Sequence, residues 1–153
     1  MYNDMDEMTV LIKKVRPSAH EPAYETAGAA AMDVRACLDG PVILPPGGRF
    51  AVPTGLAIAL PSGDVVALLF SRSGHGLKQG VALANGVGVI DADYRGEILV
   101  ALENRGDKAF TVADGDRVAQ MAILPVRRAA LAWADELPGS VRGAGGFGST
   151  GER

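Results

Sequence analysis

Several stretches of this 153-residue chain hold the residue types from which a phosphate-handling site can be built. Ser71-Arg72-Ser73-Gly74 follows an apolar run. A turn placed there can direct successive N–H groups outward, and Arg72 adds a fixed cation with a fork of donors, a combination suited to phosphate oxygens. The alternative is an ordinary surface turn. Asp91 ends a second apolar run within Asn85-Gly86-Val87-Gly88-Val89-Ile90-Asp91-Ala92-Asp93-Tyr94-Arg95-Gly96-Glu97. Its glycines let backbone approach a flat ligand closely, and partial burial would raise the Asp91 carboxyl towards a useful base. Against that stands a turn aspartate satisfied by neighbouring amides. Gln120 lies amid apolar neighbours in Arg117-Val118-Ala119-Gln120-Met121, so it must find hydrogen-bond partners in backbone or in ligand. In the tail, Gly143 and Gly148 have P-loop spacing, but Ser149 stands where lysine is required and no room remains for the helix. An isolated Phe147 among glycines, with Arg142, Ser149 and Thr150 nearby, reads instead as a ring-stacking and phosphate-capping lid.

The elements that must position these residues read as short strands. Apolar or alternating runs cover residues 9–15, 32–36, 49–52, 55–60, 65–70, 81–84, 87–90, 97–102, 110–112 and 117–126. Turn residues separate them at the spacing expected of a sandwich or barrel. Residues 71–80 are polar and glycine-rich, which predicts a loop. Asn85-Gly86 between two apolar runs predicts a hairpin. Residues 129–137 have helical propensity, though the all-β context leans against a helix there. From Pro138 onward the glycine content implies an arm without a core of its own. The expected organisation is one β domain over residues 1–137 and a flexible arm over 138–153.

Composition excludes several classes. The net charge is −3 and the pI about 5.3, so nothing draws the chain as a whole to a nucleic-acid polymer, while local cations can still hold a small anion. Twenty glycines, nine prolines and 5% aromatic residues suit strands and tight turns better than helices. Cys37 is the single cysteine, and with His20 and His75 it forms no spaced zinc set. No apolar run reaches membrane-spanning length and the acidic start is unlike a signal peptide, so the expectation is a soluble cytoplasmic protein with no membrane partner.

Taken in order, Ala29-Ala30-Ala31-Met32-Asp33-Val34, Arg72-Ser73-Gly74, the segment from Gly88 to Glu97, the segment from Arg117 to Met121 and Gly145-Gly146-Phe147-Gly148-Ser149-Thr150-Gly151 resemble the motifs of trimeric dUTPases. The resemblance covers nearly the whole chain. It implies an all-β, jelly-roll-like distorted barrel, a homotrimer whose active sites are shared between subunits, and a swapped C-terminal arm. It implies hydrolysis of dUTP to dUMP and pyrophosphate with Mg²⁺, which keeps uracil out of DNA and supplies dUMP for dTMP synthesis. Asp91 would deprotonate the water that attacks the α-phosphorus. Asn85, Val89, Ile90 and Asp91 would receive uracil, Tyr94 would pack on the deoxyribose, and Leu99 would help line the pocket. Arg72, Ser73, Gly74 and Gln120 would contact phosphates. Phe147 would stack on the base from a neighbouring subunit's arm, with Arg142, Gly148, Ser149 and Thr150 closing over the γ-phosphate. The metal would be held by phosphates and waters rather than by a direct protein ligand; Asp33 would support the site or be structural.

Ala29 and Ala31 depart from the serine and glycine frequent in the first motif, and no role follows for His75. A dCTP deaminase shares the Ile-Asp hairpin, but its catalytic glutamate would fall on Ala101, which has no acid or base. A trimeric nucleotide-binding module without turnover is the other alternative, and the intact Asp91 and Gln120 argue against it.

Overall fold

The computed structural model describes residues 8–146. It is built from eleven strands and one short helix: β1 (Leu11–Lys14), β2 (Met32–Arg35), β3 (Val42–Leu44), β4 (Arg49–Pro53), β5 (Leu56–Ala59), β6 (Val65–Phe70), α1 (Ser73–Gln79), β7 (Val81–Leu83), β8 (Gly88–Ile90), β9 (Leu99–Asn104), β10 (Phe110–Val112) and β11 (Arg117–Pro125). All named pairings are antiparallel. A four-stranded sheet runs β2-β11-β6-β8 and a three-stranded sheet runs β4-β9-β7, while β1-β5 and β10-β3 form two-stranded ribbons. Neighbours in each sheet are distant in sequence, as jelly-roll connections require.

One apolar cluster fills the interior. Val34, Ala67, Leu69, Ile90 and Met121 come from the larger sheet, and Val52, Val81, Leu83, Val100 and Leu102 from the smaller. Alternation explains the choice: in β9 the pattern puts Val100 and Leu102 inside and leaves Leu99 exposed. Among the described residues no helix is long and apolar enough to cross a membrane.

Three local expectations need correction or addition, and a fourth, the lean against a helix at 129–137, holds. Residues 71–80 do not form a loop throughout, because Ser73–Gln79 is a helix despite Gly74 and Gly76. What overrides the glycine penalty is its closure: Gly80 adopts φ 69°, its N–H returns to the Gly76 carbonyl, and the backbone of Gly106 packs where a Cβ would stand. Asn85-Gly86 does turn the chain, with the Gly86 N–H donating to the Leu83 carbonyl, but the flanking strands do not pair with each other. β7 joins β9 and β8 joins β6, so the turn hands the chain from one sheet to the other. β3, three residues between Pro41 and Pro45, is too short for period-two alternation to reveal. Residues 129–137 form neither helix nor strand, and Leu131, Trp133 and Leu137 are almost wholly exposed.

Two side chains anchor the loops that border α1. Asn104 is fully buried; its Nδ2 donates to the Leu44 carbonyl (2.9 Å) and the Lys108 carbonyl (2.7 Å), and its Oδ1 accepts from Gly106 N–H (3.0 Å). His75 meets the edge of Phe110 at 5.2 Å between ring centres. Partial burial, aided by the nearby Arg72 charge, holds its pKa below the ordinary histidine value of 6.5. Asn104→Ala leaves buried carbonyls unpaired and should lower the unfolding free energy by at least about 2 kcal/mol in urea titrations. A histidine whose folded pKa is depressed binds its proton more readily when unfolded, so stability falls as pH drops through about 6.5. His75→Leu should flatten that slope in unfolding curves taken on both sides of this pH.

Candidate active site

The candidate residues gather in two clusters, one past the Phe70 end of β6 and one along β8, which pairs with residues 67–69 of β6. At the first end, β2, β11 and β6 lie side by side, with Gln120 opposite Asp33 on one flank and Phe70 on the other. Gln120 is half-buried there. Two residues past Phe70 comes Arg72, which precedes α1, and Ser73 and Gly74 form the first turn of that helix with no side-chain cap. A Cβ at Gly74 would meet only open space, so this turn presents its backbone to solvent.

Asp33 is 3% exposed, which is tolerable for a carboxylate only because cations surround it. Arg117 NH1 donates to its Oδ2 at 3.1 Å, and Arg72 Nε lies 3.4 Å from its Oδ1. That second approach lacks hydrogen-bond geometry: Asp33 Oδ1 and Arg72 Nε are both buried and unbonded. Glu25 extends the network, 3.5 Å from both Arg117 and Arg35. Arg72 is therefore aimed by charge yet retains unsatisfied donor capacity, the state in which a guanidinium can accept an incoming anion.

At the other end of β6, Ala67 pairs with Ile90, so Asp91 follows at the level of Val66. A cavity of about 220 Å³ opens beside it and extends along β8 to Leu69, with Asn85, Val89, Ile90, Tyr94 and Leu99 in its lining. That volume is smaller than the roughly 300–1,000 Å³ of sites for drug-sized ligands, and suits one ring with part of a sugar rather than a whole nucleotide. Gly88 is needed for its close packing: an added Cβ would stand 3.0 Å from the Leu69 side chain. Val89, Tyr94 and Leu99 form an exposed apolar rim. Tyr94 is fixed at both ends, its N–H donating to the Asp91 carbonyl (3.1 Å) and its hydroxyl to the Glu97 carbonyl (2.9 Å). Asp91 also borders a second cleft of about 770 Å³ with Asp93, Arg95 and Arg128. The expected partial burial of Asp91 is corrected, since its carboxylate lies just beyond β8 and is exposed within the single chain.

Near the cavity, Glu97 accepts from Arg16 Nε (2.8 Å), Arg16 NH2 (3.3 Å) and Gly55 N–H (2.8 Å). The bond from Arg16 is the main cause holding this carboxyl below its ordinary range. Arg16 and the Asp33–Arg117 pair were not legible as site elements, because their partners lie more than 80 residues away in sequence. Among the described residues, no group of three or more His, Cys, Asp or Glu is placed to hold a metal ion. Arg142 is exposed and donates to the nearby Gly145 carbonyl, away from both clusters' hydrogen bonds. Phe147, Gly148, Ser149 and Thr150 lie outside the described residues.

Within one chain Asp91 and Arg72 lie at different levels of β6. Val66 and Arg72 are six residues apart, about 20 Å along an extended backbone.

Comparison with known proteins bears on the same residues. The dUTPase family model matches residues 18–151. The deoxyuridine 5'-triphosphate nucleotidohydrolase of Desulfitobacterium hafniense is 56% identical over 130 residues, covering 85% of this chain and 86% of that protein. The protein of that name from Aromatoleum aromaticum is 48% identical over 148 residues, covering 97% of this chain and 99% of its own length. The structure of the Staphylococcus bacteriophage 80alpha dUTPase with dUPNHPP is similar with a TM-score of 0.85 and 26% identity, over 94% of this chain and 98% of the phage chain. With a family model spanning both clusters and relatives of this identity along most of its length, the chain belongs to the dUTPase family.

Proposed function

We propose that this protein hydrolyses dUTP to dUMP and pyrophosphate, at sites assembled between copies of the chain. The observation that carries the reading is the separation of the Arg72 cluster, past the Phe70 end of β6, from the carboxylate of Asp91, at the level of Val66, with a ring-sized cavity beside β8 that reaches from Asp91 to Leu69. A base that activates water at the α-phosphorus and an arginine that grips the phosphates must lie within hydrogen-bond reach of one nucleotide. Since about 20 Å of extended backbone separates the level of Asp91 from Arg72 on one chain, a second copy brings its Arg72 cluster to the first copy's Asp91. A homotrimer satisfies this with three equivalent shared sites.

Uracil enters the cavity bounded by Asn85, Val89 and Ile90, where backbone groups beside Val89 and Asp91 complement its polar edge and the Asn85 side chain disfavours cytosine. Complementing a specific set of donors and acceptors discriminates by roughly four orders of magnitude when a mismatched base leaves buried groups unpaired. Tyr94 packs against the deoxyribose, with Leu99 completing the wall. Asp91 accepts a proton from water as its oxygen bonds to the α-phosphorus; the bond to the bridging oxygen breaks and pyrophosphate leaves. Arg72, Ser73, Gly74 and Gln120, from the neighbouring copy, bind the phosphate chain, with Asp33 keeping Arg72 in position.

Mg²⁺ fits as a companion of the triphosphate. Asp33 is already paired with two arginines, so phosphate oxygens and water supply the ligands. The ion would neutralise charge on the departing pyrophosphate. The arm from residue 138 onward closes over a neighbour's site, bringing Arg142, Phe147, Gly148, Ser149 and Thr150 to base and phosphates. The wholly exposed Val141 in the arm, with Leu131 and Trp133 just before it, supports a C-terminal stretch that packs on another copy, since such side chains on a lone chain are a marked solvation cost.

Asp91→Asn should abolish most dUTP turnover, measured as pyrophosphate release with Mg²⁺, while dUTP binding by calorimetry persists; equal loss of binding would contradict its role as base. Truncation before Arg142 should leave a folded oligomer with strongly reduced activity. Arg72→Ala and Asp91→Asn should each be inactive alone, yet co-refolding equal amounts should regenerate about a quarter of the sites, because a shared site can draw its two intact residues from different copies. A mixture that stays inactive would contradict the sharing.

A further inference from the structure

Arg16 takes no part in the proposed chemistry, yet it is tied to the cavity through a continuous series of bonds. Gly55 is the junction. Its carbonyl accepts from Val15 N–H (2.8 Å) and Arg16 N–H (3.3 Å), and its own N–H donates to Glu97 Oε1 (2.8 Å). It sits at φ 70° with the Ala19 Cβ and Cys37 Sγ so close that no other side chain fits. On either side, Thr54 Oγ1 donates to the Ile98 carbonyl (2.7 Å) and Ile98 N–H donates to the Leu56 carbonyl (2.7 Å). The stretch 97–98, which leads into β9 and lines the cavity, is thereby fastened to 54–56.

Glu97 closes the series. Its carboxylate takes the fork of Arg16, and its main-chain carbonyl is the acceptor for the Tyr94 hydroxyl. Gly96 lies directly beneath that ring, where any added Cβ would collide with the Tyr94 hydroxyl and ring carbons. The position of the tyrosine is thus set by where the Glu97 backbone is held. A guanidinium engaged through two nitrogens fixes an orientation as well as a distance, which a single hydrogen bond does not.

We propose that the Arg16–Glu97 pair is a positioning device for the sugar side of the cavity, fixing Tyr94 so that a deoxyribose is accepted and a 2′-hydroxyl is excluded. The inference rests on the reading of this cavity as a deoxyuridine site. Selectivity between ribose and deoxyribose depends on clearances of a fraction of an ångström, so a small release of the Glu97 backbone relaxes it before the fold is lost. Arg16 and Glu97 are positioning residues here, acting through Tyr94.

The test compares kcat/KM for dUTP and for UTP in the full-length protein and in Arg16→Met, Glu97→Gln, the double variant and Arg16→Lys. The dUTP-to-UTP ratio should fall about tenfold in either single variant, no further in the double, and less in Arg16→Lys, which keeps a cation but not the fork. A ratio equal to the parent's in a folded Arg16→Met or Glu97→Gln, even one with a lowered Tm, would show a merely structural clip and overturn the proposal, as would losses that multiply in the double variant. If Glu97→Gln does not fold, the two Arg16 variants decide, because that side chain is 41% exposed and its replacement leaves the core intact. Failure of the parent itself to turn over dUTP would instead overturn the reading of the site.

Discussion

Strand β6 is paired with β11 along its whole length and with β8 over its middle, and this ladder dictates where every functional group can be. Because an antiparallel register is fixed residue by residue, Ile90 opposite Ala67 determines the level of Asp91, and Gln120 opposite Phe70 brings β11 beside the residues that precede α1. A slip of one residue would turn Leu69 and Met121 out of the core, so burial enforces the register that the chemistry needs. The same rigidity keeps the two clusters apart. Strands do not bend back on themselves over six residues, so one chain keeps Asp91 and Arg72 at separate levels.

Electrostatics organises the Arg72 cluster without a dense set of charges. Asp33 is buried, and replacing its lost hydration requires Arg117 and Arg72 to stay near. Arg117 supplies a proper hydrogen bond, whereas Arg72 supplies proximity alone. The unequal sharing leaves the cluster with an arginine whose position is fixed and whose donors are not spent. It also reconciles an overall charge of −3 with recognition of a polyanionic small molecule, because the attraction is local.

The cavity beside β8 is organised by close contact rather than charge. Gly88 and Gly96 stand where side chains would strike Leu69 and Tyr94, so backbone and ring can come nearer than ordinary residues allow. The cavity is consequently narrow, about 220 Å³, and its exposed apolar rim of Val89, Tyr94 and Leu99 offers surface for a ligand or a neighbouring arm to cover. Glu97 and Arg16 make this end stiff, joining it to the turn around Gly55.

The sequence alone determined the all-β class, most strands, and the segments that carry the candidate residues. Alternation, turn residues and motif order are local properties that survive without knowledge of partners. Charge and spacing also pointed to Arg72 and Asp91, while Tyr94 came in only through the resemblance of the motifs to trimeric dUTPases. The helix at Ser73–Gln79 was hidden, since two glycines argue against it and only the packing of Gly80 on Gly106 closes it. Pairing across the Asn85-Gly86 turn was misread for a related reason: the turn is local, but which sheet each flanking strand joins depends on β6 and β9. Tertiary structure alone decided that Asp33 pairs with Arg117, that Arg16 pairs with Glu97, and that Asp91 and Arg72 stand at opposite ends of one strand. Ion pairs between residues more than 80 positions apart leave no periodic trace in a sequence, and they form because the sheets bring those strands together.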